Sequence, residues 1–348
     1  MMHLMEAGPG ETGPVRGREL VERAEALAQV ALRRYDFSPR TTVEVINLAE
    51  NVTLRIDDPV NDERAVMRLH RPGYHHLSDI KSELQWLDAL KASRTVEVPP
   101  PIDAINGDRV VIVEDDEGPR NVTVCGWLDG EAPDPEGDLV AQFATLGAVT
   151  ARLHAHVAHW RLPPGFCRRP WGAEQMLGAR PTFGPWRAGL GLDREVLLLL
   201  ERAECEVKRR LASFSTGPES FGLVHADLRL ANLLVDDTPA GQVVRVIDFD
   251  DCGNSWLMYD FGAAVSFIED DPRLPELMAS WCDGYRTVRS LPEELEAQIE
   301  TFVMLRRLVL VGWVAKNHET ATEAAELGAA FTAGTAEVAE RYLGHLLV

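Results

Sequence analysis

The spacing of the apolar residues changes at a short stretch bounded by glycines, Gly126-Trp127-Leu128-Asp129-Gly130. Before it, the pattern predicts helices at 19–35 and 77–92 and strands at 41–56 (a hairpin), 65–70, 110–113 and 122–125. After it, the pattern predicts helices at 139–156, 195–214, 257–268, 274–288, 292–316 and 320–347, with short strands at 223–224, 233–235 and 243–247. The sequence therefore predicts a strand-rich lobe and a mainly helical lobe that meet near residue 126.

Size and charge narrow the class of protein. The 348 residues exceed the usual length of one domain, and the balance of 45% hydrophobic and 26% charged residues is that of a soluble globular enzyme. The net charge of −20 repels phosphodiester backbones and anionic membrane surfaces, so neither nucleic acid nor a membrane is an expected partner. The same charge would attract a cationic substrate, although an acidic surface that keeps the protein soluble explains it more simply.

Cysteine usage and the chain ends bear on location. The five cysteines are odd in number and form no Cys-x-x-Cys pair, so we expect neither disulfides nor zinc, and a cytoplasmic location. Residues 1–18 lack an apolar core and are expected to be a flexible N-terminus rather than a signal peptide. The apolar stretch 301–314 is interrupted by Arg306 and Arg307, which argues against a membrane span there.

Polar residues with chemical potential cluster in two places of the second lobe. Asp227 and Asn232 flank a loop between short apolar runs, where scaffold-held polar groups often do chemistry, although a hydrogen-bonded turn would use the same two residues. Asp248 follows an apolar strand, and in an extended backbone Asp248 and Asp250 project to the same side. Carboxylate oxygens are the ligands that Mg²⁺ prefers, and the amide oxygen of Asn232 would complete such a site.

A cation for the phosphates is expected from the first lobe. Arg68 lies in the strand 65–70, and Glu83 falls inside the apolar stripe of the following helix. An inward-facing carboxylate is costly unless it is paired, so we expect an Arg68–Glu83 ion pair, with a surface-rim Glu83 as the alternative.

Together these residues resemble the aminoglycoside phosphotransferase and choline kinase superfamily, including its homoserine kinase-like and stress-response kinase-like members. The resemblance spans roughly residues 40 to 290 and is carried by His225-x-Asp227 with Asn232, and by Ile247-Asp248. It implies an α+β, bilobal protein-kinase-like fold, with an antiparallel sheet and one helix in the N-terminal lobe and a mainly helical C-terminal lobe. It further implies Asp227 as catalytic base, and Mg²⁺ held by Asn232 and Asp248, with Asp250 a second carboxylate ligand.

The resemblance also implies roles around the nucleotide, ATP or GTP. Arg68 and Glu83 would position the phosphates, residues 47–54 with Asn51 would cover them, and Gly126 with Trp127 would lie at the adenine. His225 would brace the catalytic loop and Asp260 would anchor it. The implied organisation is a flexible N-terminus (1–18), an N-terminal lobe (19–125), a hinge (126–131) and a C-terminal lobe (132–348).

Several features leave alternatives open. Arg229 would either steady the transferring phosphoryl group, as a catalytic residue, or pair with Asp250 or Asp251. The Trp- and Arg-rich segment 159–189 would be a substrate lid or inter-helix packing, and Glu269-Asp270-Asp271 would meet an amine or cap a helix. The turn Leu48-Ala49-Glu50-Asn51 contains no glycine for close approach to a nucleotide. His154 and His156 face different ways on a helix and are expected to pack at its end.

The expected activity is transfer of a γ-phosphate to a hydroxyl of a small molecule such as an amino alcohol, an amino acid, an aminoglycoside or another sugar-containing antibiotic. The alternatives are a stress-response-type Ser/Thr protein kinase and a nucleotide-binding pseudokinase. Only nine residues separate Asp250 from Asp260, which is short for the segment on which peptide kinases dock their substrates. The expected state is a monomer or a homodimer.

Overall fold

The computed structural model describes residues 13–48, 51–116, 118–134, 137–238 and 241–345. The chain divides into two compact units. The first, here called the sheet unit, comprises Met1–Glu131, Leu162–Arg168 and Asp236–Val246. The second, the helical unit, comprises Ala132–Arg161, Arg169–Val235 and Ile247–Val348.

The described residues between 13 and 126 form an antiparallel sheet and two helices. Its elements are α1 (Gly13–Leu32), β1 (Thr42–Leu48), β2 (Val52–Asp58), β3 (Glu63–Leu69), α2 (Leu77–Ser93), β4 (Pro101–Ile102), β5 (Val111–Val113) and β6 (Arg120–Gly126). The six strands are ordered β1-β2-β3-β6-β4, with β5 also paired to β6. Predicted residues Ala49 and Glu50 of the hairpin turn, and the N-terminal residues 1–12, lie outside the described residues.

Alternation along β3 decides which side chains face the core of the sheet unit. Ala65, Met67 and Leu69 are buried, and they belong to a cluster that includes Ala24 and Ala28 of α1. Because successive side chains of a strand point to opposite faces, Arg68 lies on the face away from that cluster. The second face of the strand therefore carries two cations, Arg64 near its start and Arg68 near its end.

The rest of the chain is mainly helical. Its helices are α3 (Leu139–His159), α4 (Ala173–Leu177), α5 (Arg194–Ser213), α6 (Tyr259–Ala264), α7 (Leu274–Arg286), α8 (Glu293–Glu296), α9 (Ile299–Asn317) and α10 (Thr322–His345). Its strands are β7 (Phe221–Val224), β8 (Leu233–Thr238), β9 (Gly241–Val246) and β10 (Gly253–Trp256). Two-stranded sheets pair β7 with β10 and β8 with β9. The α+β class predicted from the sequence is confirmed.

Two glycines allow α3 and α7 to pack at unusually short range. A Cβ added at Gly147 of α3 would lie 2.0 Å from the carbonyl oxygen of Trp281, and one added at Gly284 of α7 would lie 1.9 Å from that of Ala144. Only glycine can occupy such positions without moving a helix. The close approach sets His154 of α3 beside Tyr285 of α7, 3.0 Å from ring nitrogen Nδ1 to hydroxyl.

Several element boundaries differ from those predicted. Helix α1 already begins at Gly13, and the helix predicted at 292–316 is two helices, α8 and α9, separated at Ala297 and Gln298. The helix predicted at 257–268 shrinks to α6, after which Phe267 adopts a left-handed backbone with φ 71°. Strands β4 and β10 were not predicted. In the described part of the chain, no helix has the length and apolar character needed to cross a bilayer.

Candidate active site

The loop that carries Asp227 follows β7 and begins with a strained residue. Ala226 adopts a left-handed conformation with φ 67°, which is unfavourable for a residue with a Cβ. Its own N–H donates to Asp260 Oδ1 at 2.7 Å, and the N–H of the preceding residue, His225, donates to Asp260 Oδ2 at 3.2 Å. The prediction that Asp260 anchors this loop is confirmed.

A second buried group completes the anchor. His154 Nε2 donates to Asp260 Oδ2 at 3.0 Å, and its Nδ1 accepts from the Tyr285 hydroxyl. Burial raises the pKa of Tyr285 to about 12, so that the phenol keeps its proton as donor. The prediction that His154 packs at a helix end is wrong, because α3 continues to His159 and the ring is fully buried on Asp260.

His225 is held through both ring nitrogens. Its Nε2 contacts the carbonyl of Ile247 at 3.1 Å, and its Nδ1 faces the N–H of Asp227 at 3.4 Å. A carbonyl only accepts, so Nε2 carries the proton and Nδ1 is an acceptor. The ring also packs against Phe249. This arrangement agrees with the predicted brace.

The Asp227 carboxylate has a different partner on each oxygen. Asn232 Nδ2 donates to Oδ2 at 3.0 Å and to the backbone carbonyl of Asp227 at 2.7 Å. Arg229 Nε lies 3.6 Å from Oδ2, and its Nη1 lies 3.3 Å from Glu323. On the other side Arg306 Nη2 donates to Oδ1 at 2.7 Å. Arg229 thus pairs with Asp227 and Glu323 rather than with Asp250 or Asp251, and Arg306 is a partner that sequence reasoning missed.

Asp248 departs from the extended backbone assumed for it. The strand β9 ends at Val246, and Asp248 adopts φ 66°, so the expectation that Asp248 and Asp250 share a face of one extended run is wrong. The turn is tied to the loop that carries Asp227, because the N–H of Ile247 donates to the carbonyl of Asn232 at 3.0 Å. Backbone hydrogen bonding therefore fixes the segment before Asp248 to Asn232.

The chemistry of these side chains fits a magnesium ion. Asn232 uses its amide nitrogen on Asp227, which leaves its oxygen as the atom that a cation would take, and Asp248 adds a carboxylate. Over the described ranges, no group of three or more His, Cys, Asp and Glu side chains is arranged to hold a metal. A site that uses Asn232 is of a different kind, because asparagine is not one of these four residue types.

In the sheet unit, the predicted Arg68–Glu83 ion pair is present. Arg68 Nη1 lies 3.5 Å from Glu83 Oε1, and both side chains are largely buried. Arg168, which sequence reasoning placed in a candidate lid, approaches the other oxygen of Glu83 at 4.0 Å and donates to the carbonyl of Asp79 at 2.7 Å. Glu83 therefore lies between two guanidinium groups.

Besides Arg68 and Glu83, three more residues of the sheet unit that were predicted to contact the nucleotide have structural contacts of their own. Asn51 Oδ1 accepts from the N–H of Arg71 at 3.0 Å. The N–H of Gly126 donates to Pro100, and a Cβ at Gly126 would lie 2.8 Å from Pro100 Cγ. Trp127 lies beneath the guanidinium of Arg64, 5.5 Å from the ring centroid.

Comparison with known proteins decides the family. Residues 42–295 match the sequence profile of the phosphotransferase enzyme family. The chain belongs to this family. It is thus a phosphotransferase of the small-molecule kinase type, and the resemblance inferred from the motifs is confirmed.

Relatives of the phosphotransferase support this assignment over different lengths. A solved structure of a microcompartment-associated aminopropanol kinase is 43% identical, with a TM-score of 0.84, and the match covers 92% of this chain and 98% of that one. An amicoumacin kinase solved with AMP-PNP and Ca²⁺ has a TM-score of 0.74 at 20% identity, covering 92% and 96% of the two chains, which shows a shared fold. A homoserine kinase of Methylobacillus glycogenes is 31% identical over 159 residues, 44% of this chain and 45% of its own.

Part of the Trp- and Arg-rich segment of the phosphotransferase is packed into the fold. Trp171 and Trp186 are buried, and the indole of Trp171 donates to the carbonyl of Asp251 at 2.6 Å. Arg187 stacks on Trp186 and lies 2.8 Å from Glu204. These contacts favour packing over a mobile lid.

The acidic run is also occupied within the fold. Glu269 is buried and lies 2.8 Å from Arg307 Nη1. Asp271 accepts from the N–H and the guanidinium of Arg273 just before α7. Asp271 thus pairs with Arg273, the N-cap residue of α7, where no side-chain capping hydrogen bond forms, and Glu269 pairs with a buried guanidinium rather than facing a substrate amine.

Proposed function

We propose that the phosphotransferase transfers the γ-phosphate of ATP to the hydroxyl of a small amino alcohol of the aminopropanol class. The observation that carries this proposal is the 43% identity to an aminopropanol kinase across 98% of that chain. Such a likeness over nearly the full length extends beyond the family motifs to the residues around them. The net charge of −20 adds an attractive field for a cationic acceptor.

In the proposed reaction, Asp227 accepts the proton of the acceptor hydroxyl as its oxygen attacks the γ-phosphorus and the bond to the ADP oxygen breaks. Asp227 is held on both oxygens and keeps 19% of its side chain exposed, so its carboxylate is fixed in orientation and open to a hydroxyl. Asn232 and Asp248, with Asp250 as second carboxylate, would hold Mg²⁺, which neutralises charge on the phosphates when bound. Arg229 would stabilise the transferring group, and Arg68, fixed by Glu83, would grip the phosphates.

The test of the acceptor is a screen for ADP release. With ATP and Mg²⁺, we expect 1-amino-2-propanol and related short amino alcohols to raise turnover well above the rate without acceptor. Homoserine, an aminoglycoside and a matched alcohol without an amine serve as comparisons. Phosphorylated product should be identified by mass. Higher kcat/KM for homoserine or for the amine-free alcohol would contradict the amino alcohol assignment. Nucleotide-induced stabilisation without turnover would instead indicate a pseudokinase.

Substitution of Arg68 tests its proposed contact with the phosphates of ATP. Arg68→Ala is expected to raise KM for ATP so that kcat/KM for ATP falls about 30-fold, because one charge-assisted contact to phosphate is lost. Arg55→Ala is a matched control, since Arg55 lies on the neighbouring strand β2 and pairs with Asp57 and Glu44. Steady-state kinetics with ATP varied measures both. Equal KM values for the two variants would argue against a phosphate role for Arg68.

A further inference from the structure

Arg306 is a buried guanidinium whose donors point at the catalytic loop. It lies on α9, 79 residues from Asp227 in sequence, and donates to Asp227 Oδ1 at 2.7 Å. Its Nη1 contacts the carbonyl of Ala226 at 3.4 Å and the Tyr259 hydroxyl at 3.3 Å, and its Nε donates to Ser266 Oγ at 2.9 Å. The guanidinium is therefore fixed along its whole edge.

The charges around Arg306 are asymmetric. Burial raises the pKa of the Tyr259 phenol, which stays neutral, so the carboxylate of Asp227 is the anion in direct contact with the guanidinium. Burial by itself disfavours the charge of Arg306, but the hydrogen bond to the Tyr259 hydroxyl and the charge of Asp227 favour it, and the pKa of Arg306 lies above its usual range. A permanent cation thus faces one oxygen of Asp227 from inside the helical unit.

The two oxygens of Asp227 are held by different residues. Arg306, with only 6% of its side chain exposed, donates to Oδ1, and Asn232 of the same loop as Asp227 donates to Oδ2. Because both oxygens are fixed, rotation of the carboxylate about χ2 is restricted. Asp227 itself keeps 19% of its side chain exposed, which leaves access for a hydroxyl.

We propose that Arg306 is a positioning residue for the phosphoryl transfer, holding the Asp227 carboxylate aimed at the acceptor hydroxyl. The inference rests on the proposed function, since it takes Asp227 to be the base. With only 6% of its side chain exposed, Arg306 acts through Asp227. Its loss misplaces the base rather than weakening substrate binding, so kcat is affected more than KM.

The adjacent residue supplies a matched control. Arg307 is also an arginine of α9 with 2% of its side chain exposed, and it pairs with the buried carboxylate of Glu269 at 2.8 Å. It also donates to Thr335 and to the carbonyl of Phe331. Arg307 therefore matches Arg306 in helix, burial and ion pairing but contacts no residue of the catalytic loop.

The experiment compares Arg306→Lys with Arg307→Lys in the full chain, using the acceptor found in the screen and thermal midpoints as the folding control. We expect Arg306→Lys to lower kcat about 10- to 100-fold, the loss that a misplacement of about 1 Å can cause, with KM for ATP and acceptor within about threefold. Arg307→Lys should lower the midpoint as much but leave kcat within about threefold. Ser266→Ala, which removes the partner of Nε and one hydrogen bond to the Ala263 carbonyl, should lower kcat in the same direction with a smaller change of midpoint than Arg306→Lys.

The outcomes separate the two proposals. Equal kcat values for Arg306→Lys and Arg307→Lys, with Asp227→Asn inactive, would overturn the positioning role and leave the proposed function standing. Should Arg306→Lys fail to fold, unchanged kcat in Ser266→Ala overturns the role instead. Retained turnover in Asp227→Asn would remove Asp227 as the base, and the role of Arg306 would fall with it.

Discussion

Asp227→Asn is expected to lower kcat by about 1000-fold or more while the chain still folds and binds nucleotide. General base catalysis contributes about 100- to 10,000-fold, and an amide cannot take the proton of the acceptor hydroxyl. The substitution keeps the shape of the side chain. One of its two ends must, however, place an NH₂ group against a donor, since Asn232 and Arg306 both donate to Asp227.

The cost to folding should be small beside the catalytic loss. Leaving one donor of a partly buried pair without an acceptor costs about 1–3 kcal/mol, which lowers the midpoint of thermal unfolding by several degrees at most for a chain of this size. Asp271→Asn is a matched control, because Asp271 has 18% of its side chain exposed, against 19% for Asp227, and also pairs with an arginine. It should leave kcat unchanged.

Single-turnover measurements with ATP and the acceptor give the cleanest reading. A fall of less than about tenfold in Asp227→Asn would mean that another group takes the proton, because that is below the range of a lost general base. A comparable fall in Asp271→Asn would mean that the loss reflects folding. Nucleotide binding by Asp227→Asn, measured as a shift of the thermal midpoint, shows that the site is intact.

Local chemistry was readable from the sequence, whereas contacts from distant helices were not. Asp227, Asn232 and Asp248 stand in one short span, and Arg68 and Glu83 are close in sequence, so spacing alone indicates their partners. Arg306 lies on a helix that is apolar on almost every side, where the sequence shows only a charged interruption. Nothing in helical periodicity tells which carboxylate a buried guanidinium will meet.

The backbone conformation of single residues is the second feature that the sequence did not predict. A strand followed by Asp248 suggested continued extension, but the left-handed backbone at Asp248 turns the chain, and a residue with a Cβ gives no sign of such a conformation. Strand β10, Gly253-Asn254-Ser255-Trp256, carries no β-branched residue and is held by backbone pairing to β7. Its existence is decided by tertiary pairing rather than by propensity.

Substitution of Asp260, which anchors the loop that carries Asp227, is expected to have a second large effect, on both stability and turnover. Asp260→Asn is expected to lower the free energy of unfolding of the helical unit by about 2–4 kcal/mol. Both oxygens of Asp260 accept N–H groups from His225, Ala226 and His154, so an NH₂ group at either end faces a donor in a dry environment. The left-handed backbone of Ala226 costs about 1–3 kcal/mol and would no longer be held.

Because Asp227 follows Ala226 directly, relaxation of that strain moves the base, and we expect kcat to fall about 100-fold, the loss given by a misplacement of about 1 Å. Asp58→Asn is the matched control, since Asp58 is equally buried, accepts five hydrogen bonds from Ser38, Val60 and Asn61, and belongs to the sheet unit. It should lower the unfolding midpoint without lowering kcat at a temperature where both variants are folded. If the two variants lose stability and turnover in the same proportion, the anchor acts on the fold as a whole, and the link from Asp260 through Ala226 to the base is wrong.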